Sequence, residues 1–485
     1  MRSSGGAGTT STMPLYGALS DDYAAQVVVD GVTVNVNIDT GSVAFAFAGH
    51  PDIGCDRYVN STKLIEDGKC DTTQDVSVKY GTGKWSGYMC NMTVGFGDGI
   101  VEMKDYSGGV MLEQQEMTTC ARTPNDDPTS LRFREKPDVF MEGIAGLAFP
   151  DPKNNATFTP LLTQLFFGRG EKTSNDNASS RQQLQPIFGL QSCGYEPILK
   201  IGGDGAFDLG GLDSSHFEGQ IQWSPVVEAR YWGVHMTAVR LGHSSSSIES
   251  ESSPNLLPPQ QRTALDEHGH ARTVIDSGTS MILFDPDTYE SILDTLRSTL
   301  PDAKNLPDSF YDGEACASLD EIDITKWPPV VLEFAGENEE DPIELTIPAC
   351  RYVELVPSGF CIGNAPETRD GFPHDQPSYL FALGKMPEGQ DALLGQALFE
   401  QYYVAHDMTP GKERIGFAPL AGCDAGSYCV DGYASPGLEQ RTATVEGTST
   451  HHALVWSLGI SIITLAMYFL KKRNQRPTYT EIADH

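Results

Sequence analysis

The sequence predicts a mostly β protein built as two related lobes, followed by a single membrane-spanning helix. Three observations predict it. Short runs rich in Val, Ile, Phe and Tyr, broken by Gly, Asp and Asn, dominate the chain, whereas sustained helical periodicity is scarce. One short signature occurs twice, as Asp39-Thr40-Gly41-Ser42 and as Asp276-Ser277-Gly278-Thr279, each time after a β-branched run and before an apolar one. Near the C-terminus, the uncharged stretch Ala453 to Leu470 runs directly into Lys471-Lys472-Arg473. A chain of 485 residues also exceeds what one hydrophobic core holds, so two lobes with appendages are expected.

Taken in order, residues 1–13 are polar and small and read as a disordered leader. They contain no apolar core of signal-peptide length, so lumenal entry requires a start upstream, a trimmed form, or insertion directed by the later span. Residues 14–188 form the first lobe. Its Asp turn follows Val32-Thr33-Val34-Asn35-Val36-Asn37-Ile38, and the pattern of Asp75 to Met89 around Gly81-Thr82-Gly83 reads as a β-hairpin. Tyr80 and Trp85 flank the tip of that hairpin, where they could cover a groove. Pro160 to Phe167 reads as a short helix. Residues 189–423 form the second lobe, with its Asp turn after Thr273-Val274-Ile275. Its clearest helix is Pro286 to Leu300, where Tyr289, Ile292, Leu293 and Leu296 share one face.

The lobes echo each other again. Gly143-Ile144-Ala145-Gly146-Leu147 closes the first and Leu393-Leu394-Gly395-Gln396-Ala397-Leu398 the second, each with a glycine suited to close backbone approach. Polar tracts at 171–186, 243–272 and 363–378 read as surface insertions, because such composition buries little apolar area against chain entropy. Residues 424–452 read as a stalk. Residues 453–470 reach roughly 27 Å as a helix, near the lower limit for a membrane span. The basic residues after them put residues 471–485 in the cytoplasm and both lobes in a lumen or outside the cell.

Composition narrows the chemistry. A formal charge of −33 excludes a nucleic-acid partner, which needs clustered Lys and Arg, and suits an acidic compartment where carboxylates become neutral. The ten cysteines form no CxxC pair, which points to disulfides rather than zinc. The sequons at Asn60, Asn91, Asn155 and Asn177 agree with an oxidising compartment and glycosylation. There is no HExxH helix and no Gly-X-Ser-X-Gly elbow, so neither zinc nor serine hydrolysis is expected, and no metal or other cofactor is required. Gly81 to Trp85 is not a phosphate loop, since its spacing is wrong and no hydroxyl follows Lys84.

Two matched Asp turns are what a two-carboxylate site assembled from two halves requires. Carboxylates about 3 Å apart cannot both ionise cheaply, so the pair shares a proton at mildly acidic pH. The ionised member takes a proton from a water between them, and the protonated member polarises a peptide carbonyl. Thr40 and Ser277 can reach across between the lobes, and Ser42 and Thr279 can donate to the outer carboxylate oxygens. Gly41 and Gly278 let a substrate backbone approach the turns.

In order along the chain, the two Asp turns, Tyr80-Gly81-Thr82-Gly83, Gly143 to Ala148, Tyr231-Trp232-Gly233 and Leu394-Gly395 resemble the pepsin-like aspartic proteases over about Leu15 to Cys423. Phe45-Ala46-Phe47 in place of a frequent tryptophan, Gly83-Lys84-Trp85-Ser86-Gly87, Leu190-Gln191-Ser192-Cys193-Gly194 and the terminal span look most like the membrane-anchored β-secretase (memapsin) type. The resemblance implies a bilobal acid-protease fold with pseudo-two-fold lobes. It implies that Asp39 and Asp276 are catalytic and that Tyr80 sits in a flap, with Gly41, Gly278, Thr279 and Tyr231 beside a polypeptide substrate such as a membrane-protein ectodomain. It also implies disulfides Cys193–Cys423 and Cys316–Cys361. Proximity in sequence suggests Cys55–Cys70 and Cys90–Cys120, leaving Cys350 with Cys429. The family's usual pro-segment has no counterpart before Pro14, and the insertion before Asp276 is unusual. The alternative function is a catalytically silent binding protein of the same fold. Such relatives lose an Asp or its hydroxyls, and this chain keeps them. In the tail, Tyr479-Thr480-Glu481-Ile482 fits the form read by endocytic sorting adaptors.

Overall fold

Strand Val32–Asp39 organises the first half. Its interior residues are buried on both faces, so it lies inside a sheet and delivers Asp39 at its end. The computed structural model describes residues 10–18, 22–55, 57–81, 83–96, 101–115, 117, 141–150, 158–168, 184–196, 201–202, 204–242, 253–313, 315–338, 340–356, 377–387 and 391–423. Among these, one 13-stranded sheet runs from Gln222–Pro225 through Arg414–Pro419, Tyr402–Asp407, Ile187–Ser192 and Asp204–Leu209 to Ser11–Ala18, and on into the first half as far as the hairpin Cys70–Lys79 and Lys84–Phe96. A six-stranded sheet in the second half carries Thr273–Ile275 and the strands around it.

The internal repeat takes a definite form. Gly143–Gly146 lies parallel to Val32–Asp39 and antiparallel to Phe45–Ala48, with Asp39 opposite Gly146. Ala392–Leu394 lies parallel to Thr273–Ile275 and antiparallel to Ile282–Phe284, with Ile275 opposite Leu394. In each half a strand from far along the chain wedges between the strand before the Asp turn and the strand after it. The glycines at its end allow this, since a Cβ on Gly146 would stand 2.6 Å from Ala44 N and one on Gly395 2.0 Å from Thr279 O. Helix Pro286–Thr299 forms as read: Asp285 caps it by accepting from Thr288 N, Pro286 opens it, and Tyr289, Ile292, Leu293 and Leu296 are buried. Leu161–Phe167 is the short helix of the first half.

Several expectations are corrected. The leader is shorter than 1–13, because strand Ser11–Ala18 already pairs with Asp204–Leu209 and Met13 is buried. A lobe boundary at 188/189 would cut strand Ile187–Ser192, which belongs with Asp204–Leu209 and Tyr402–Asp407 to the part of the sheet shared by both halves. The tract 243–272 is not wholly a surface excursion. From residue 253 it packs down: Asn255 accepts from Val239 N and donates to Thr237 O, standing in for a strand neighbour, and Leu257 enters the core. Asn255 spends its side chain on these backbone groups, while Gln260, Arg262, Thr263, Glu267 and His268 remain exposed.

The disulfides also differ. Cys70 pairs with Cys90, not with Cys55, so Cys55–Cys70 and Cys90–Cys120 are both replaced. The reason is register: the two cysteines face each other across adjacent antiparallel strands, with Cα atoms 3.9 Å apart. Cys193 and Cys423 are bonded across 230 residues. Cys55, Cys316 and Cys350 are also in disulfides, while Cys120, Cys361 and Cys429 lie outside the described residues. So do Asn155, Asn177, the stalk, Ala453 to Leu470, and the tail with Tyr479 to Ile482. Among the described residues no helix is long and apolar enough to cross a membrane.

Candidate active site

The two Asp turns meet at the junction of the halves and lock by four reciprocal hydrogen bonds. Thr40 Oγ1 donates to Ile275 O at 3.0 Å and accepts from Ser277 N at 2.9 Å. Ser277 Oγ donates to Ile38 O at 2.5 Å and accepts from Thr40 N at 3.1 Å. All four partners are buried, so each hydroxyl satisfies a donor and an acceptor that would otherwise be stranded. Within each turn a glycine amide holds its own carboxylate, Gly41 N to Asp39 Oδ1 at 2.8 Å and Gly278 N to Asp276 Oδ1 at 2.9 Å.

The same glycines serve the opposite carboxylate. A Cβ on Gly41 would stand 2.4 Å from Asp276 Cγ, and one on Gly278 2.4 Å from Asp39 Oδ1. Sequence reading assigned them to substrate approach; their first effect is to let the two carboxylates come together. Asp39 and Asp276 are both buried and hydrogen-bond each other. Burial, then the charge of Asp276, pushes the Asp39 carboxyl well above the ordinary value, against the opposing pull of Ser42 and the Gly41 amide. Thr279 Oγ1 donates to Asp276 Oδ2 at 2.6 Å. Gln396, which nothing in the sequence singled out, donates from Nε2 to Ser277 O and braces the second turn from the wedged strand's side.

Tyr80 sits at the hairpin end, where its amide donates to Gly83 O at 2.7 Å. Burial and the nearby Asp39 charge raise its phenol, and Trp85 and Ser42 oppose the rise, so the phenol lies near Asp39 and Ser42. Tyr231 also acts on that phenol and so lies near it. Trp85 does not cover a groove. It is buried beneath the hairpin against Phe158, in the space left by Ala46 and Gly109, where a Cβ on Gly109 would stand 2.5 Å from its ring. The sequence clue was present in Phe45-Ala46-Phe47-Ala48: the phenylalanines face the main core, and the alanines make room for this indole.

With that geometry in place, comparison with known proteins is decisive. A family described as eukaryotic aspartyl protease matches residues 22–420. The chain belongs to this family. Similar proteins include a "Beta-secretase" of Strongylocentrotus purpuratus, 23% identical over 438 residues covering 86% of this chain and 67% of the relative. A "Vacuolar aspartic protease" of Candida albicans is 23% identical over 413 residues, 84% of this chain and 77% of the relative. A "Gastricsin" of Macaca fuscata fuscata is 23% identical over 348 residues, 72% and 69%. This aspartyl protease is therefore an aspartic-type endopeptidase acting on polypeptides. Of its sequons within the described residues, Asn60 is exposed and caps helix Ser61–Glu66 through its side-chain oxygen, and Asn91 is exposed on strand Lys84–Phe96.

Proposed function

We propose that Asp39 and Asp276 are the catalytic pair of a membrane-anchored endopeptidase of the secretory or lumenal compartment. The observation that carries this reading is the reciprocal packing of each glycine against the opposite carboxylate, which leaves two buried acids sharing one proton. One acid, ionised, draws a proton from a water lying between them. That water attacks the peptide carbonyl while the other acid donates to its oxygen, and the proton then passes to the leaving nitrogen. The intermediate is tetrahedral and no covalent acyl-enzyme forms. Thr40 and Ser277 fix the distance between the acids, Ser42 and Thr279 hold their outer oxygens, and Tyr80 closes over an extended substrate that also meets Tyr231. The lipid bilayer is engaged by Ala453 to Leu470, with glycans on Asn60, Asn91, Asn155 and Asn177. Tyr479 to Ile482 meets an endocytic sorting adaptor, and ectodomains of neighbouring membrane proteins are the substrates within reach.

Asp39→Asn and Asp276→Asn test the pair separately. Each is expected to abolish cleavage of a random peptide library at every pH while the fold is kept. Cleavage retained in either variant would remove that residue from the mechanism. For the anchor, protease added to sealed microsomes should spare both lobes and remove only the tail.

A further inference from the structure

The segment immediately before Asp276 is longer than a strand connection requires, and its described part, 253–272, is tied to one particular neighbour. His270 Nδ1 lies 2.9 Å from Glu228 Oε1, and Ala271 N donates to Glu228 Oε2 at 2.7 Å. Glu228 opens a tight hairpin: Glu228–Ala229 pairs with Trp232–Val234, Glu228 opposite Gly233, with Arg230 and Tyr231 at the tip. The tip stands beside the second Asp turn, because Trp232–Val234 pairs antiparallel with Thr273–Ile275, the strand that delivers Asp276, with Gly233 opposite Val274. Arg230 lies over the Tyr231 ring at 5.2 Å. The strap is itself anchored. Arg272 bonds Asp391, Gln261 and Thr263 at 2.9 Å each, and Asp266 turns the segment by accepting from the amides of His268 and His270. Its next residues are the strand Thr273–Ile275 that delivers Asp276. A Cβ on Gly233 would stand 2.3 Å from Ala271 Cβ, so strap and hairpin are in direct contact as well as hydrogen-bonded.

We propose that this strap is a positioning element for the substrate groove: by gripping Glu228 with His270 and the Ala271 amide, it sets where Arg230 and Tyr231 stand and so sets affinity for an extended peptide on that side of the dyad. The inference rests on the reading that Tyr231 borders the groove. Glu228 and His270 touch neither carboxylate, so they act through the hairpin tip and on binding, not on the proton transfers.

The test uses the full chain and a decapeptide chosen from the library, together with its analogue carrying a hydroxyethylene in place of the scissile amide. Glu228→Ala is expected to raise KM for the decapeptide and Kd for the analogue by about five- to tenfold, with kcat within about twofold. Glu228→Gln, which keeps an acceptor for the Ala271 amide, should restore most of the loss, and His270→Ala should give a smaller loss than Glu228→Ala. Gly233→Ala pushes the strap away at Ala271 while leaving the Glu228 carboxylate in the chain, and should reproduce the Kd change. Thermal midpoints report whether each variant is folded. Unchanged KM and Kd in folded Glu228→Ala, or a fall in kcat at constant KM, overturns the inference. If the unaltered chain binds the analogue without cleaving the decapeptide, the protease reading fails, and the Kd comparison still decides the role of the strap.

Discussion

Ser42 bears on the ionisation of Asp39. The buried Asp39 carboxyl is raised by desolvation and by Asp276, and Ser42 opposes that rise. Removing the hydroxyl leaves the Gly41 amide to oppose the rise alone, so Ser42→Ala should hold the shared proton to higher pH. The alkaline limb of the pH–kcat profile should then move upward. An unmoved limb would mean that Asp39 is not the group whose deprotonation ends activity. Gly278→Ala should be harsher. Its Cβ falls 2.4 Å from Asp39 Oδ1, so the acids must separate, and kcat should drop by about 10³-fold or more in a protein that still folds.

At the scale of elements, the paired wedged strands need the cross-lock between them. Ser277→Ala strands Thr40 N and Ile38 O, both buried, and should cost about 2–4 kcal/mol in denaturant unfolding. Thr40→Ala should cost a similar amount through Ile275 O and Ser277 N. Because all four bonds belong to one unit, the double variant should lose clearly less than the sum of the two, and strict additivity would show that they do not act together.

For the whole molecule, two buried groups pull stability in opposite directions with pH. Asp39 is raised in the folded state, so its contribution is complete in acid and is lost as pH rises through its folded value. His406 lies in the strand shared by both halves, stacked on Phe188 at 4.4 Å, edge-on to Trp232 and parallel to Phe399. Burial lowers it to about 3. The ionisable groups of its own strand and of the neighbouring helix end are engaged elsewhere: Asp407 bonds Arg414, Tyr403 bonds Asp208, and Glu400 is held by Tyr23 and Arg351. Its contribution is present above the ordinary histidine value and is lost as pH falls from there toward about 3, at up to about 1.4 kcal/mol per pH unit. The stability maximum should therefore lie in mild acid, and strong acid should open the interlobe sheet. His406→Phe should leave the melting midpoint at pH 7 nearly unchanged and raise it by several degrees at pH 4. Equal midpoints at pH 4 would clear His406 of this role.

The Asp turns, the wedged-strand glycines and the helix Pro286–Thr299 were legible in the sequence because each is a contiguous signal: a repeated tetrad, a glycine after an apolar run, a capped amphipathic period. The chemistry of the site followed from the tetrads, since residue type alone dictates what two adjacent carboxylates do. Only the tertiary structure decided what depends on residues far apart meeting. The Cys70–Cys90 bond was set by the register between two strands, which proximity in sequence does not encode. Trp85 went inward because Ala46 and Gly109 left a space for it, and both the polar strap at 253–272 and the buried His406 took their meaning from partners on other strands. Local propensity and composition act within a few residues, whereas desolvation, register and packing volume are properties of the assembled core.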